Sequence, residues 1–138
     1  MEKELTCKQR INSHLKGRIE DLTDLWKDYQ NGIEDNPEIG NIYEYGLSFD
    51  YVEAENRKRG YFRYQLSWGG PSDEFRFYAE GKDYKWNVDR IEYVFMDWFD
   101  GSKRTLSGDK FKLLEKIFLN LFVEVGSCQA VFDKAIED

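Results

Sequence analysis

One histidine, His14, and two cysteines, Cys7 and Cys128, are all that the chain offers for imidazole or thiol chemistry. His14 falls off the apolar stripe of the first expected helix, two positions from Lys16, and reads as a solvated helix residue rather than a general base. Without a second histidine, neither cysteine has an obvious activating partner. The two lie near opposite ends with no Cys-x-x-Cys spacing, so both are read as reduced thiols, Cys128 as a small core residue. No run of about 18 apolar residues occurs, which excludes a membrane-spanning helix. The opening MEKELTCKQR is charged with no apolar stretch behind it, so it is not a secretory signal, and the expected compartment is the cytoplasm. The DWFDGS segment places Asp97 and Asp100 three apart, where a calcium loop needs alternate positions, and it lacks the distal glutamate. No metal and no cofactor are expected.

Lysine and arginine are also missing from one long segment. Residues 34–55 carry Glu34, Asp35, Glu38, Glu44, Asp50, Glu53 and Glu55 and no basic residue. Residues 1–33 are charge-balanced, and NRKRGYFR is the basic peak of the middle region. With a net charge of −7, bulk binding of nucleic acid through phosphate neutralisation is disfavoured, whereas an acidic face suits a basic protein partner. The plainer account of the same charges is solubility.

What the chain has in abundance is aromatic rings, 17% of its residues, so its core is expected to be built around them. At 138 residues it is read as one α+β domain. Ile11, Leu15, Ile19, Leu22, Trp26 and Tyr29 recur at helical spacing and predict a helix over about 5–30, within an N-terminal segment 1–33. From Ile42 the period changes to two, and four antiparallel strands are expected within 41–100: one around 42–52, one around 62–68, one around 75–78, and a more continuously apolar one over 90–99. DGSKRTLSGDK reads as a turn followed by a helix start with Ser107 as N-cap, and one or two helices fill 107–138. Helices segregated at the chain ends cover one face of the sheet.

YQLSWGGPSDEFRF poses the main functional question. A phosphate loop needs a strand, a glycine-rich loop and a helix, but here Gly69-Gly70 is followed by Pro71, Asp73, Glu74 and another strand. Gly69, Gly70 and Pro71 are therefore read as a structural hairpin turn. Tyr84, Trp86, Trp98 and Phe99 stand near Lys82, Lys85, Lys103 and Arg104 in sequence, a mixture that can clamp single-stranded nucleic acid, although core and rim packing explains it more simply.

The run YQLSWGGPSDEFRFY with IEYVFMDWFDGSKRTL resembles a family of small proteins encoded on plasmids, prophages and other mobile elements. Leu66, Ser67, Gly69, Gly70, Pro71, Asp97, Trp98 and Phe99 carry the likeness, which covers about residues 43–105. It implies a mobile-element origin and, by way of the anti-CRISPR inhibitors found among such proteins, an anti-defence role. It implies no catalytic residues. The expectation is a non-enzymatic protein that binds and inhibits a host defence complex, such as a CRISPR effector, through an acidic surface. Glu44, Asp50, Glu53, Glu55, Trp68, Asp73 and Glu74 are the expected partner-binding residues. The alternatives are a small hydrolase or nuclease using Asp97 and Asp100, or a homo-oligomeric structural accessory.

Overall fold

A computed structural model describes residues 5–56 and 58–137; residues 1–4, Arg57 and Asp138, which the expected segments and the basic peak include, lie outside them. The architecture is α+β. Helix α1 spans Cys7–Gln30 and is followed by five strands: β1 Ser48–Val52, β2 Tyr61–Ser67, β3 Ser72–Lys82, β4 Lys85–Asp97 and β5 Asp100–Thr105. Helix α2, Gly108–Ile117, runs into a π-helical segment, Phe118–Val123, and α3 covers Ser127–Glu137. The strands form one antiparallel meander in sequence order.

Thr6 starts α1 with a capping box: its hydroxyl accepts from the Gln9 N–H, and Gln9 reaches back to the Thr6 N–H at 2.8 Å. Cys7, Ile11, Leu15, Leu22 and Leu25 form the buried face, while Trp26 is half-buried and stacks on the more exposed Tyr29 at 5.3 Å. The buried face thus runs through Leu25, which the spacing of the stripe passes over, and Trp26 packs at its margin. Leu22→Ala should accordingly cost about 2–5 kcal/mol and Trp26→Ala only about 1–2 kcal/mol, read from denaturation midpoints at unchanged slope. The reverse order would put the other face of α1 on the sheet.

Five strands rather than four is a correction. DGSKRT has no apolar alternation to reveal it, because β5 is an edge strand held by its ladder to β4 and by polar contacts to α1, such as Arg104 Nε to Asn12 Oδ1 at 3.2 Å. The first strand also begins at Ser48 rather than Ile42. A side chain at Gly46 would lie 2.1 Å from the Tyr64 ring, so the chain bends there and sends Tyr45 toward α1 instead of along the sheet. EGKDYKWN is mostly strand: β3 and β4 continue to a two-residue turn at Asp83 and Tyr84, both at positive φ. Ser107 stands at the N-cap of α2 but makes no side-chain capping bond.

Strand alternation gives the sheet two different faces. One carries Phe62 and Tyr64, Phe75 and Phe77, and Ile91, Tyr93 and Phe95 into the core shared with α1, α2 and α3. The π-helical turn sets Phe118 flat on Phe77 at 4.7 Å and Phe122 flat on Phe49 at 3.9 Å, so rings fill the layer between sheet and helix. The other face is lined by Arg63, Glu74, Arg76, Tyr78, Arg90 and Glu92. Its guanidinium groups lie over rings, Arg76 on Tyr61 at 4.6 Å and Arg90 on Tyr78 at 4.1 Å. Their stems cover the acids beneath, which is why Glu74 and Glu92 are buried on a sheet face that carries no core cluster.

Candidate binding site

The expected site residues fall into three different environments. Glu44 is exposed on the wall of a cavity of about 520 Å³ between the end of α1 and the following loop. The cavity joins its carboxylate to those of Asp28, Glu34 and Asp35 and to the rings of Tyr29 and Tyr43. Asparagines build the loop: Asn36 Oδ1 accepts from the Glu38 N–H at 2.9 Å, its Nδ2 donates to Asp28 at 3.0 Å, and Asn41 Oδ1 accepts from the Glu44 N–H at 3.0 Å. Among the described residues none of these four acids forms an ion pair with lysine or arginine. Tyr43 is 63% exposed and meets Tyr29 edge-on at 6.0 Å. Its hydrogen bond with Tyr29, its burial and the Tyr29 and Glu124 charges all raise its pKa above the ordinary phenol value. Asp28 and Tyr29 were not legible as site residues: Tyr29 reads as the end of the apolar stripe of α1, and nothing in the sequence singles out Asp28.

The remaining acids do not join this cavity. Asp50 is held by a two-pronged pair with Arg63, at 2.6 and 3.0 Å. Glu53 and Glu55 are exposed on the β1–β2 connection, where Glu55 pairs through its backbone with Lys58. Asp73 and Glu74 need correcting as partner-binding residues, because each is only 2% exposed. Glu74 binds Arg76 at 2.7 Å. Asp73 faces the core side, where it accepts from Arg18 Nε at 2.7 Å, Arg18 Nη2 at 2.9 Å, the Tyr93 hydroxyl at 2.6 Å and the Ser67 hydroxyl. Arg18 also donates to the Tyr45 hydroxyl, which in turn donates to Asp21 at 2.6 Å. Burial and the Asp21 carboxylate push the Tyr45 phenol up to about 12. This network ties α1 to β3, β4 and the turn before β1, and it leaves Asp73 no lone pair to offer a ligand.

Asp97 and Asp100 flank the two-residue β4–β5 turn and anchor the start of α1. Asp97 pairs with Arg10 at 2.6 Å, and Asp100 accepts from the Cys7 N–H at 2.8 Å. That backbone bond, with the Gly101 N–H and the Arg10 charge, holds Asp100 below the usual carboxylate range. His14 is exposed and stacks on Phe95 at 4.3 Å. Both cysteines are free and buried, and burial alone pushes the Cys128 thiol up to about 12. Among the described residues no group of three or more His, Cys, Asp or Glu is placed to hold a metal ion. No described helix is long and apolar enough to cross a membrane.

The glycine hairpin has a divided role. Gly69 adopts a φ of +103°, a conformation that other residues take only under strain, so it serves the turn. Gly70 has no such φ; a side chain there would instead approach Asp97 Oδ1 at 3.4 Å and Trp98 Nε1 at 3.6 Å. Trp68 beside it is 64% exposed. The aromatic–basic mixture around residues 82–104 is split by the fold. Trp86 is buried and donates to Gln129, Tyr84 sits at the β3–β4 turn, and Trp98 and Phe99 occupy the β4–β5 turn at the other end of β4. No family model matches this chain, and neither a curated protein nor a solved structure was found to match it.

Proposed function

We propose that the protein is a non-catalytic binding protein that receives a basic segment of a protein partner in the acidic cavity beside Tyr43. Such a partner is a nucleic-acid-handling defence complex of the host, of which a CRISPR effector is one kind, and the binder acts for a mobile element by occupying it. The observation that carries this reading is the cavity: four carboxylates that form no ion pair with lysine or arginine among the described residues, set around two phenol rings. An unscreened acidic concavity speeds encounter with a basic surface and favours cationic side chains over anionic ones. The rings add apolar area for the stems of lysine or arginine. A smaller cavity of about 170 Å³ on the other side of Tyr43, lined by Leu47, Phe49 and Phe122 among others, extends the contact with apolar surface.

The test is affinity capture from cells carrying defence systems, run alongside a plasmid-interference or plaque assay. Reversal of Glu34 and Glu44 to lysine should reduce capture by about tenfold at low salt and by less at high salt, because steering charges are screened beyond about 8 Å at physiological ionic strength. Protection of the plasmid or phage should fall in parallel. Asp50 is unsuited to this test because its reversal also breaks the pair with Arg63. Reversal of Glu2 and Glu4, which lie outside the described residues, serves as the control for net charge. Equal losses from both pairs would show that net charge alone matters, and capture indifferent to both would remove the cavity from the binding surface.

A further inference from the structure

The two hairpin turns at one end of the sheet, β2–β3 and β4–β5, emerge side by side, since Ser72 at the start of β3 lies opposite Met96 near the end of β4. Between them is a slot of about 410 Å³ lined by Trp68, Gly69, Gly70, Ser72, Met96 and Trp98. Trp98 is 88% exposed and Phe99 fully so. Neither ring contributes to the core, and the turn itself disfavours Trp98. Trp98 sits at a φ of +56° in a two-residue hairpin loop, where glycine or asparagine fits with least strain. Gly69 and Gly70 line the slot without side chains, and a methyl at Gly70 would occupy part of it, in contact with Trp98 Nε1 at 3.6 Å.

We propose that Trp68 and Trp98 form a receptor slot for an arginine side chain of a protein partner, inserted between the two indoles above Met96. Indole faces attract cations electrostatically, and the planar, weakly hydrated guanidinium stacks on rings better than an ammonium does. Asp100, at the edge of the turn, adds a carboxylate that forms no ion pair among the described residues, whereas Asp97 is neutralised by Arg10; the whole chain carries −7, which disfavours a phosphate-bearing occupant. The chain uses the same chemistry internally, with Arg10 over Phe95 at 4.9 Å and Arg90 over Tyr78 at 4.1 Å. Among the described residues no guanidinium lies over Trp68 or Trp98. This slot is separate from the Tyr43 cavity and stands whether or not that cavity binds a partner.

The test follows the indole N–H resonances of the full-length protein while a blocked Gly-Arg-Gly peptide is added, with the same peptide carrying neutral citrulline as the comparison. The signals of Trp68 and Trp98 should move in a saturable way, while those of Trp26 and Trp86 stay in place and report that the fold is intact. Citrulline in place of arginine, or Trp98→Ala, should weaken binding by about tenfold. Gly70→Ala keeps both rings and narrows the slot, and should weaken binding severalfold. Equal binding of both peptides overturns the proposal, as does affinity unchanged by either variant. It is also overturned if only a proline-rich peptide or a single-stranded oligonucleotide moves the two signals, or if they move with protein concentration alone, which would make the slot a contact between copies. Reversal of Glu34 and Glu44 leaves this titration unchanged, so failure here and failure at the Tyr43 cavity are read separately.

Discussion

Asp73→Ala should lower stability by roughly 3–5 kcal/mol, the cost of breaking a buried pair by removing one partner. The carboxylate is nearly inaccessible and accepts four hydrogen bonds, two of them from Arg18. Its loss strands the Tyr93 hydroxyl and the Arg18 guanidinium at the contact between α1 and the sheet. Because the Arg18 side chain is 25% exposed and retains Tyr45, partial rescue by water places the effect toward the lower end of that range. Asp73→Asn keeps the shape but loses the charge, and should cost less. The pH dependence has a definite sign. Burial alone would raise the Asp73 carboxyl, but the hydrogen bonds from Arg18, Ser67 and Tyr93 outweigh it and hold it below its ordinary value of 3.8. The unfolded chain therefore binds the proton first as pH falls. The contribution of Asp73 is fully present above its unfolded pKa and is lost as pH drops through the lower native value. Urea denaturation of wild type and Asp73→Asn at neutral pH and near pH 3 should show the gap between them shrinking in acid. A gap that stays constant or widens would mean that the carboxylate is not the charged centre of this network.

Phe62→Ala should have an effect of similar size, about 3–5 kcal/mol, for a different reason. Phe62 is completely buried and is the ring around which the aromatic layer is organised. It meets Tyr51 at 4.9 Å, Trp86 at 5.1 Å, Phe118 at 5.6 Å and Phe49 at 5.8 Å, so β1, β4 and the π-helical segment all lose a neighbour when it is truncated. Rings of this size leave a cavity that their neighbours cannot close without leaving their own stacking positions. Phe62→Leu, which restores most of the volume, should recover more than half of the loss. The check is the denaturation midpoint at constant slope; a cost under about 1 kcal/mol for the alanine variant would show that the layer repacks freely.

Periodicity made much of this architecture readable. The spacing of Ile11, Leu15 and Leu22 marks α1, and the alternation of Phe62, Tyr64 and Leu66 marks the inward face of β2, because each pattern reports which side of a regular element meets apolar surroundings. β5 was unreadable for the same reason. Its side chains meet α1 through polar groups, and its ladder to β4 is made of backbone bonds that any residue can supply. The acidic character of residues 34–55 was equally plain in the composition, and it prefigured the Glu34, Asp35 and Glu44 wall of the cavity beside Tyr43.

By itself the sequence determined the α+β class, the aromatic nature of the core, the place of α1 and the segment without basic residues. Tertiary structure alone decided which acids are surface and which are interior. Asp73 and Glu44 are the same kind of residue in sequence, but Asp73 meets Arg18, 55 positions away, and becomes part of the core, while Glu44 pairs with no cation among the described residues and faces a cavity. The same holds for the tryptophans: Trp86 finds Gln129 and is buried, whereas Trp98, twelve residues on, is turned outward by a two-residue loop. A charge or an indole carries no local preference strong enough to fix its burial. That depends on whether a partner arrives from a distant part of the chain to offset its desolvation.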